Sequence, residues 1–275
     1  MVHQTAKIDM PALQRARGEI DLAVVAGRLD RFYQSGSSKI FMPKTYATTL
    51  EAVLVNTAGG LTEGDEFDVQ MTAKGNTHLT VSTQTAERVY RALGSDTAKM
   101  RIKITLTGPA SLHWLPQETI MFDGAGFSRH LHVKMDEGAS FLASEMMVFG
   151  RTAMHEEVRH GRLFDRWRIH RGDKLIHAEA LRLQGDIAGK LDHLASASGC
   201  VSFATTLFIG RDSEEKANAA REFFKSYNDI KTAVSAWDGK LVIRSVGGDT
   251  ARLKKVIARF MIHLRRIENP RVWNA

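Results

Sequence analysis

Apolar residues fall at every second position through most of this chain, and that period leaves few folds open. Successive side chains of a strand point to opposite faces, so strict alternation reads as a strand with one buried face. In "MRIKITLTG", Met100, Ile102, Ile104 and Leu106 share a face. Leu131, Val133 and Met135 do the same in "LHVKM". "DRWRIHRG" and "KLIHAEALRLQG" flank a turn at Gly172-Asp173, and "CVSFATTLFIG" and "KLVIRSVGG" add late strands. Glycines punctuate the pattern at Gly75, Gly94, Gly108, Gly124, Gly138, Gly161, Gly185 and Gly239. Many short strands at such spacing predict a mostly β body. Five prolines in 275 residues suit extensive sheet.

Two segments break the period late in the chain. "DSEEKANAAREFFKSYN" predicts a helix with Ala217, Ala220, Phe224 and Tyr227 in a stripe. Asp212 is placed to cap it, with Glu215 closing a capping box. "DTARLKKVIARFMIHLRR" predicts a second helix, its apolar face made of Leu253, Val256, Ile257, Phe260, Met261 and Leu264. Lys254, Lys255, Arg259, Arg265 and Arg266 should leave the other face basic. No composition shift marks a linker. The expectation is one domain over 1–275, with both helices packed on the sheet and 1–17 loosely ordered.

Hydrophobic residues make up 43% of the chain, enough for a sizeable core. A single cysteine, Cys200, rules out an internal disulfide and suits a reducing compartment. The opening "MVHQTAKIDMPALQRARG" holds no apolar stretch of the signal-peptide kind, and no run approaches a membrane span. A cytoplasmic location without membrane contact is therefore expected. A net charge of +7 permits acidic partners without choosing between nucleic acid and protein.

The glycine-rich "NTAGGLTEGDEFDV" raises the question of phosphate binding. A Walker loop needs lysine and a hydroxyl after its last glycine, and here Asp65 and Glu66 follow Gly64. Glu63, Asp65, Glu66 and Asp68 would repel a phosphate. Gly59 and Gly60 are read as setting backbone shape.

Catalytic motifs are sparse. There is no GxSxG elbow, no HExxH and no CxxC. His130 and His132 are two residues apart on a strand and could share a metal, which admits a metal-dependent hydrolase. Two ligands alone do not make a closed tetrahedral site. The basic late helix admits a nucleic-acid-binding β-protein, although no RNP aromatics, zinc-finger spacing or helix-turn-helix signature accompanies it. Three carboxylates, Glu118, Glu145 and Glu179, sit in apolar strand-like stretches. Such a group must be protonated, paired or metal-bound when buried. Arg151 and Arg182 are the expected structural partners. The alternative is a polar track able to pass a cation, with few and weak ligands.

Five segments taken in order resemble the urease accessory protein UreD (UreH) family. They are "VNTAGGLTEGDEF", "TQTAERVYR", "LHWLPQETIMFDGA", "GASFLASEMMVFGR" and the ending "PRVWNA". The motif residues Gly59, Gly60, Asp65, Trp114, Pro116, Glu118, Asp123 and Arg151 belong to them. Where the family reads NTAGGLTGGD, this chain has Glu63 before Gly64, a departure that leaves the turn intact. The resemblance implies a β-rich fold with helical winding of its strands, barrel-like closure being the other arrangement, and two helices. It implies a maturation factor rather than an enzyme, binding the urease apoprotein and UreF, and reaching the GTPase UreG through UreF. It implies no tightly bound cofactor. The resemblance further implies nickel in transit through an internal channel, with Glu145 and Glu179 as the expected polar lining.

Overall fold

The computed structural model describes residues 14–44, 49–151, 154 and 156–274. Two sheets face each other, and the chain winds between them. The seven-stranded sheet runs in the order β14-β13-β11-β8-β5-β1-β2. These are β1 (Arg17–Val25), β2 (Arg28–Gly36), β5 (Glu66–Lys74), β8 (Ala98–Thr107), β11 (Gly126–Met135), β13 (Gly161–Arg171) and β14 (Lys174–Gly185). The ten-stranded sheet is built on β3 (Ser38–Phe41), β4 (Leu50–Asn56), β6 (His78–Thr83), β9 (Ser111–Leu115), β12 (Ser140–Phe149), β15 (Ser202–Ile209), β17 (Lys240–Gly247) and β16 (Lys231–Trp237). The short β7 (Glu87–Val89) and β10 (Thr119–Met121) join it beside β12.

From β4 to β13 the long strands alternate between the sheets. Each circuit lays a strand parallel to the one laid a circuit before, β5 beside β8 and β8 beside β11 in one sheet, β6 beside β9 and β9 beside β12 in the other. The winding is therefore helical rather than a closed barrel. A parallel pair usually needs a helix to return the chain; here a strand of the opposite sheet does it.

Parallel register stacks like on like. Ile20, Val69, Ile102, Leu131 and Trp167 form one inward row across five strands. All five are buried, and they pack on Val81, Phe141 and Ala143 from the facing sheet. The other face of the ten-stranded sheet carries a second core against α2 (Ser213–Phe224) and α3 (Thr250–Arg265). This is why all but the first residue of β12 are buried: both of its faces are covered.

All six expected apolar positions of α3 are buried, and Asp249 caps it by accepting from Arg252 N at 2.9 Å. The capping box on α2 does not form. Asp212 lacks the extended backbone of a cap, and its carboxylate pairs with Lys216 at 2.8 Å. Tyr227 lies beyond the end of α2. A third, short helix, α1 (Ile187–Asp192), starts at Asp186 and was not evident from periodicity. The expected looseness of 1–17 falls mainly on residues 1–13, outside the described residues. Next to them, Arg15 pairs with Glu63 and Ala16 N donates to Asp65.

The basic face of α3 is less free than expected. Lys254 pairs with Glu118 at 2.9 Å. Arg265 turns inward to Thr80, His113 and Asn269, and burial lowers its pKa to about 10 against the pull of Glu51.

The glycine loop is a shaped turn. Asp65 accepts from Ala16 N and Thr62 N at 2.7 and 2.8 Å. Asn56 accepts from Ala58 N and donates to Gly60 O. Gly59 and Gly60 have φ of +78° and +151°. A Cβ on Gly59 would meet nothing within 4 Å, whereas one on Gly60 would come within 2.8 Å of Arg88 O. We therefore expect Gly59→Val to lose about 1–2 kcal/mol through left-handed strain alone. Gly60→Val should melt at a clearly lower temperature than Gly59→Val. Thermal melts of both variants check this, and equal melting temperatures would contradict the close-approach account.

Candidate functional site

One row below the apolar ladder, the register Met100–Arg129–Asp165 puts charge between the sheets. Arg129 on β11 and Asp165 on β13 are register partners, and both are buried. Their contact is bidentate, Nε to Oδ1 at 3.1 Å and Nη2 to Oδ2 at 2.6 Å. From the facing sheet, Glu145 on β12 reaches the same guanidinium with Oε2, in an ion-pair contact. Its other oxygen accepts from Trp114 Nε1 at 2.5 Å. Glu145 is 3% exposed and Arg129 likewise 3%, so the group is cut off from water.

This cluster has one cation and two carboxylates. Burial works against the Arg129 charge, and the two carboxylates outweigh it. Burial, with the nearby Asp165 charge, pushes the Glu145 carboxyl up to about 7, although Arg129 and Trp114 pull the other way. With Glu145 protonated the group is neutral; with Glu145 ionised it carries one net negative charge.

Glu179 on β14 lines the same small cavity, about 20 Å³, together with Arg129, Glu145, Asp165 and Thr205. It pairs with Arg244 at 3.1 Å and lies 3.5 Å from His177 Nε2. Burial opposes its charge, yet His177 and Arg244 hold its pKa below the usual carboxylate value. A second cavity, about 120 Å³, lies on the other side of Arg129. Gly59, Gly60, Trp114, Pro116, Gln117 and Glu87 are among its walls. Burial raises the Glu87 carboxyl to about 7, with the Asn56 amide only partly offsetting it.

Two expected carboxylates thus meet at one place, but not with the expected arginines. Arg151 pairs instead with Glu156 at 2.7 Å and lies over the Phe122 ring. Arg182 lies over Phe164 on the outer face. The partners are Arg129 for Glu145, Arg244 for Glu179 and Lys254 for Glu118. Arg129 and Asp165 were missed, although the alternation that buries Leu131 and Trp167 buries them too. Asp123 stands apart at a turn, accepting from His160 N at 2.8 Å and pairing with Arg91 at 3.1 Å. His130 and His132 do not converge. His130 meets the edge of Phe164, while His132 Nε2 lies 3.2 Å from His170 Nδ1. Among the described residues no three His, Cys, Asp or Glu side chains form a metal-holding group. Cys200 is half-buried at the edge of the core.

The quoted motifs converge on these walls. "LHWLPQE" supplies Trp114, Pro116 and Gln117, and the C-terminal segment closes on it, with Trp273 Nε1 donating to Leu115 O at 2.9 Å. The pattern of the family described as UreD urease accessory protein matches residues 14–274. The chain belongs to that family. It is 41% identical over 263 residues to "Urease accessory protein UreD" of Agrobacterium fabrum, covering 94% of this chain and 91% of that protein. It is 42% identical over 266 residues to the protein of the same name from Rhizobium rhizogenes, covering 95% and 96%. The family name makes this an accessory protein rather than an enzyme.

Removing one member of a buried charge group strands the others. Arg129→Leu should therefore lose about 3–5 kcal/mol, read by denaturant melts. Glu145→Gln keeps an acceptor for Trp114 and should lose less. The pH dependence has a definite sign. The Glu145 pKa is raised on folding, so its neutral form adds stability at low pH, and that contribution fades as pH rises from about 4.5 to about 7. The melting temperature of Glu145→Gln relative to the native protein should accordingly rise between pH 5 and pH 8.

Proposed function

We propose that this chain is a scaffold in urease maturation that passes nickel through its interior to the urease apoprotein. In this reading it binds the apoprotein and UreF in the cytoplasm, and UreF links it to the GTPase UreG. The observation that carries the proposal is the polar line between the sheets. Two cavities share the Arg129 wall; one is bordered by the Gly59-Gly60 turn and Glu87, and the other holds Glu145, Asp165 and Glu179.

The chemistry suits cargo in transit. Nickel takes oxygen and imidazole donors, and a route must hold it with few of them at a time. Burial disfavours the Glu145 charge, and a cation beside the carboxyl would favour the ionised form that can ligate it. Asp165 keeps Arg129 compensated meanwhile. Family membership supports the urease context. Among the described residues no helix is long and apolar enough to cross a membrane.

The test is nickel content of urease purified from cells carrying Glu145→Gln with Glu179→Gln. We expect lowered nickel with the partner complex kept and a drop in melting temperature no larger than the two single Gln variants give at the same pH. Full nickel loading in the double variant would remove both residues from the route. A lowered melt with a lost complex would make them structural.

A further inference from the structure

The outer face of the seven-stranded sheet carries a charge pattern that folding does not account for. Outward positions follow the same register as the inner ladder. Lys103, His132 and Arg168 form one row across β8, β11 and β13. Arg101, His130 and Arg166 form the next, and Thr105, Lys134 and His170 a third. Arg182 on β14 pairs with Phe164 in the row beyond. At the β5 side the basic charge is matched, since Arg101 and Lys99 pair with Glu66 and Asp68. Farther across it is not. Lys103, Lys134, Arg166, Arg168 and Arg182 have no carboxylate within ion-pair distance among the described residues.

Neighbouring strands lie about 4.8 Å apart, so these cations repel one another in the folded state. A face selected only for solubility would intersperse carboxylates. We propose that this face, across β8, β11, β13 and β14, is a docking surface for an acidic protein surface. The proposal stands on the charge pattern and does not depend on the nickel route.

Three features favour carboxylates on a protein over a nucleic acid. The cations form a two-dimensional field four strands wide, whereas a single strand follows a groove. Base binding also needs free aromatic faces. The ring on this field, Phe164, is covered by the Arg182 guanidinium and meets the His130 edge. Finally, Arg168 already spends Nη1 on the Trp167 and Glu179 carbonyls, which fixes its plane against the sheet. A field of like charge on a rigid sheet suits a complementary surface, where it raises association rate and sets orientation.

The test uses the full chain and two probes, labelled poly-L-glutamate and a 30-nucleotide oligothymidylate, titrated over a salt series. The face variant is Lys103→Glu with Lys134→Glu and Arg182→Glu, all at exposed positions. The control reverses Lys255, Arg259 and Arg221 to Glu on the helical side, for the same change in net charge. Circular dichroism melts verify that both variants fold. We expect polyglutamate binding to fall by about tenfold or more in the face variant, equivalent to about 1.4 kcal/mol, and by about twofold or less in the control. Equal losses in the two variants would overturn the proposal. So would absence of polyglutamate binding at low salt, or oligothymidylate binding tighter than polyglutamate and lost with the face. Should the face variant not fold, Lys103→Gln with Lys134→Gln is read by the same criteria.

Discussion

A buried guanidinium ties the inner faces of the two sheets together. Arg129 from one sheet holds Asp165 beside it and Glu145 across the gap, and Trp114 fixes the far oxygen of Glu145. Apolar packing alone would let two flat faces slide, because it has no direction. Charge-assisted bonds have direction and are strong where water is absent. The cluster therefore sets which level of one winding faces which level of the other, and the cavities on either side of Arg129 take their position from it.

This arrangement carries an energetic debt that an all-apolar core would not. Buried ion groups rarely outperform well-packed hydrophobic residues of the same volume. Two carboxylates on one arginine are harder still to accommodate, and the raised Glu145 pKa is the sign of it. Perturbed buried carboxylates concentrate where a protein handles protons or ions. The family's role as a urease accessory fits a centre kept polar at some expense of stability.

Much of the fold was legible because the alternation is local. The strands around Ile102, Leu131 and Trp167 and the faces of α2 and α3 follow from spacing in one short window. The helical winding is a long-range property, and only family resemblance pointed to it. α1 is six residues long, too short for a period to emerge. Glu145 and Glu179 were legible as carboxylates in apolar company, but their partners were not. Which arginine meets which glutamate depends on register between strands far apart in sequence. The alternation did contain part of the answer, since a strand that buries Leu131 must also bury Arg129. Arg129 and Asp165 occupy such inward positions, and they complete the buried cluster with Glu145.

A stack of parallel circuits has open ends, and each end could accept another circuit from a second molecule. The chain reverses direction at those ends. β2 runs antiparallel on β1 at one edge, and β14 runs antiparallel on β13 at the other. In the second sheet β3 turns back on β4, and β15, β17 and β16 continue as an antiparallel meander. The rims are thus of opposite polarity to the winding they close, and β2 carries Arg28, Asp30 and Arg31 among its exposed side chains, beside Leu29, Phe32 and Tyr33. An unbroken stack with exposed parallel rims would be a template for fibre growth. The terminal hairpins end the parallel coil, so a fold built on indefinite repetition stops within one chain.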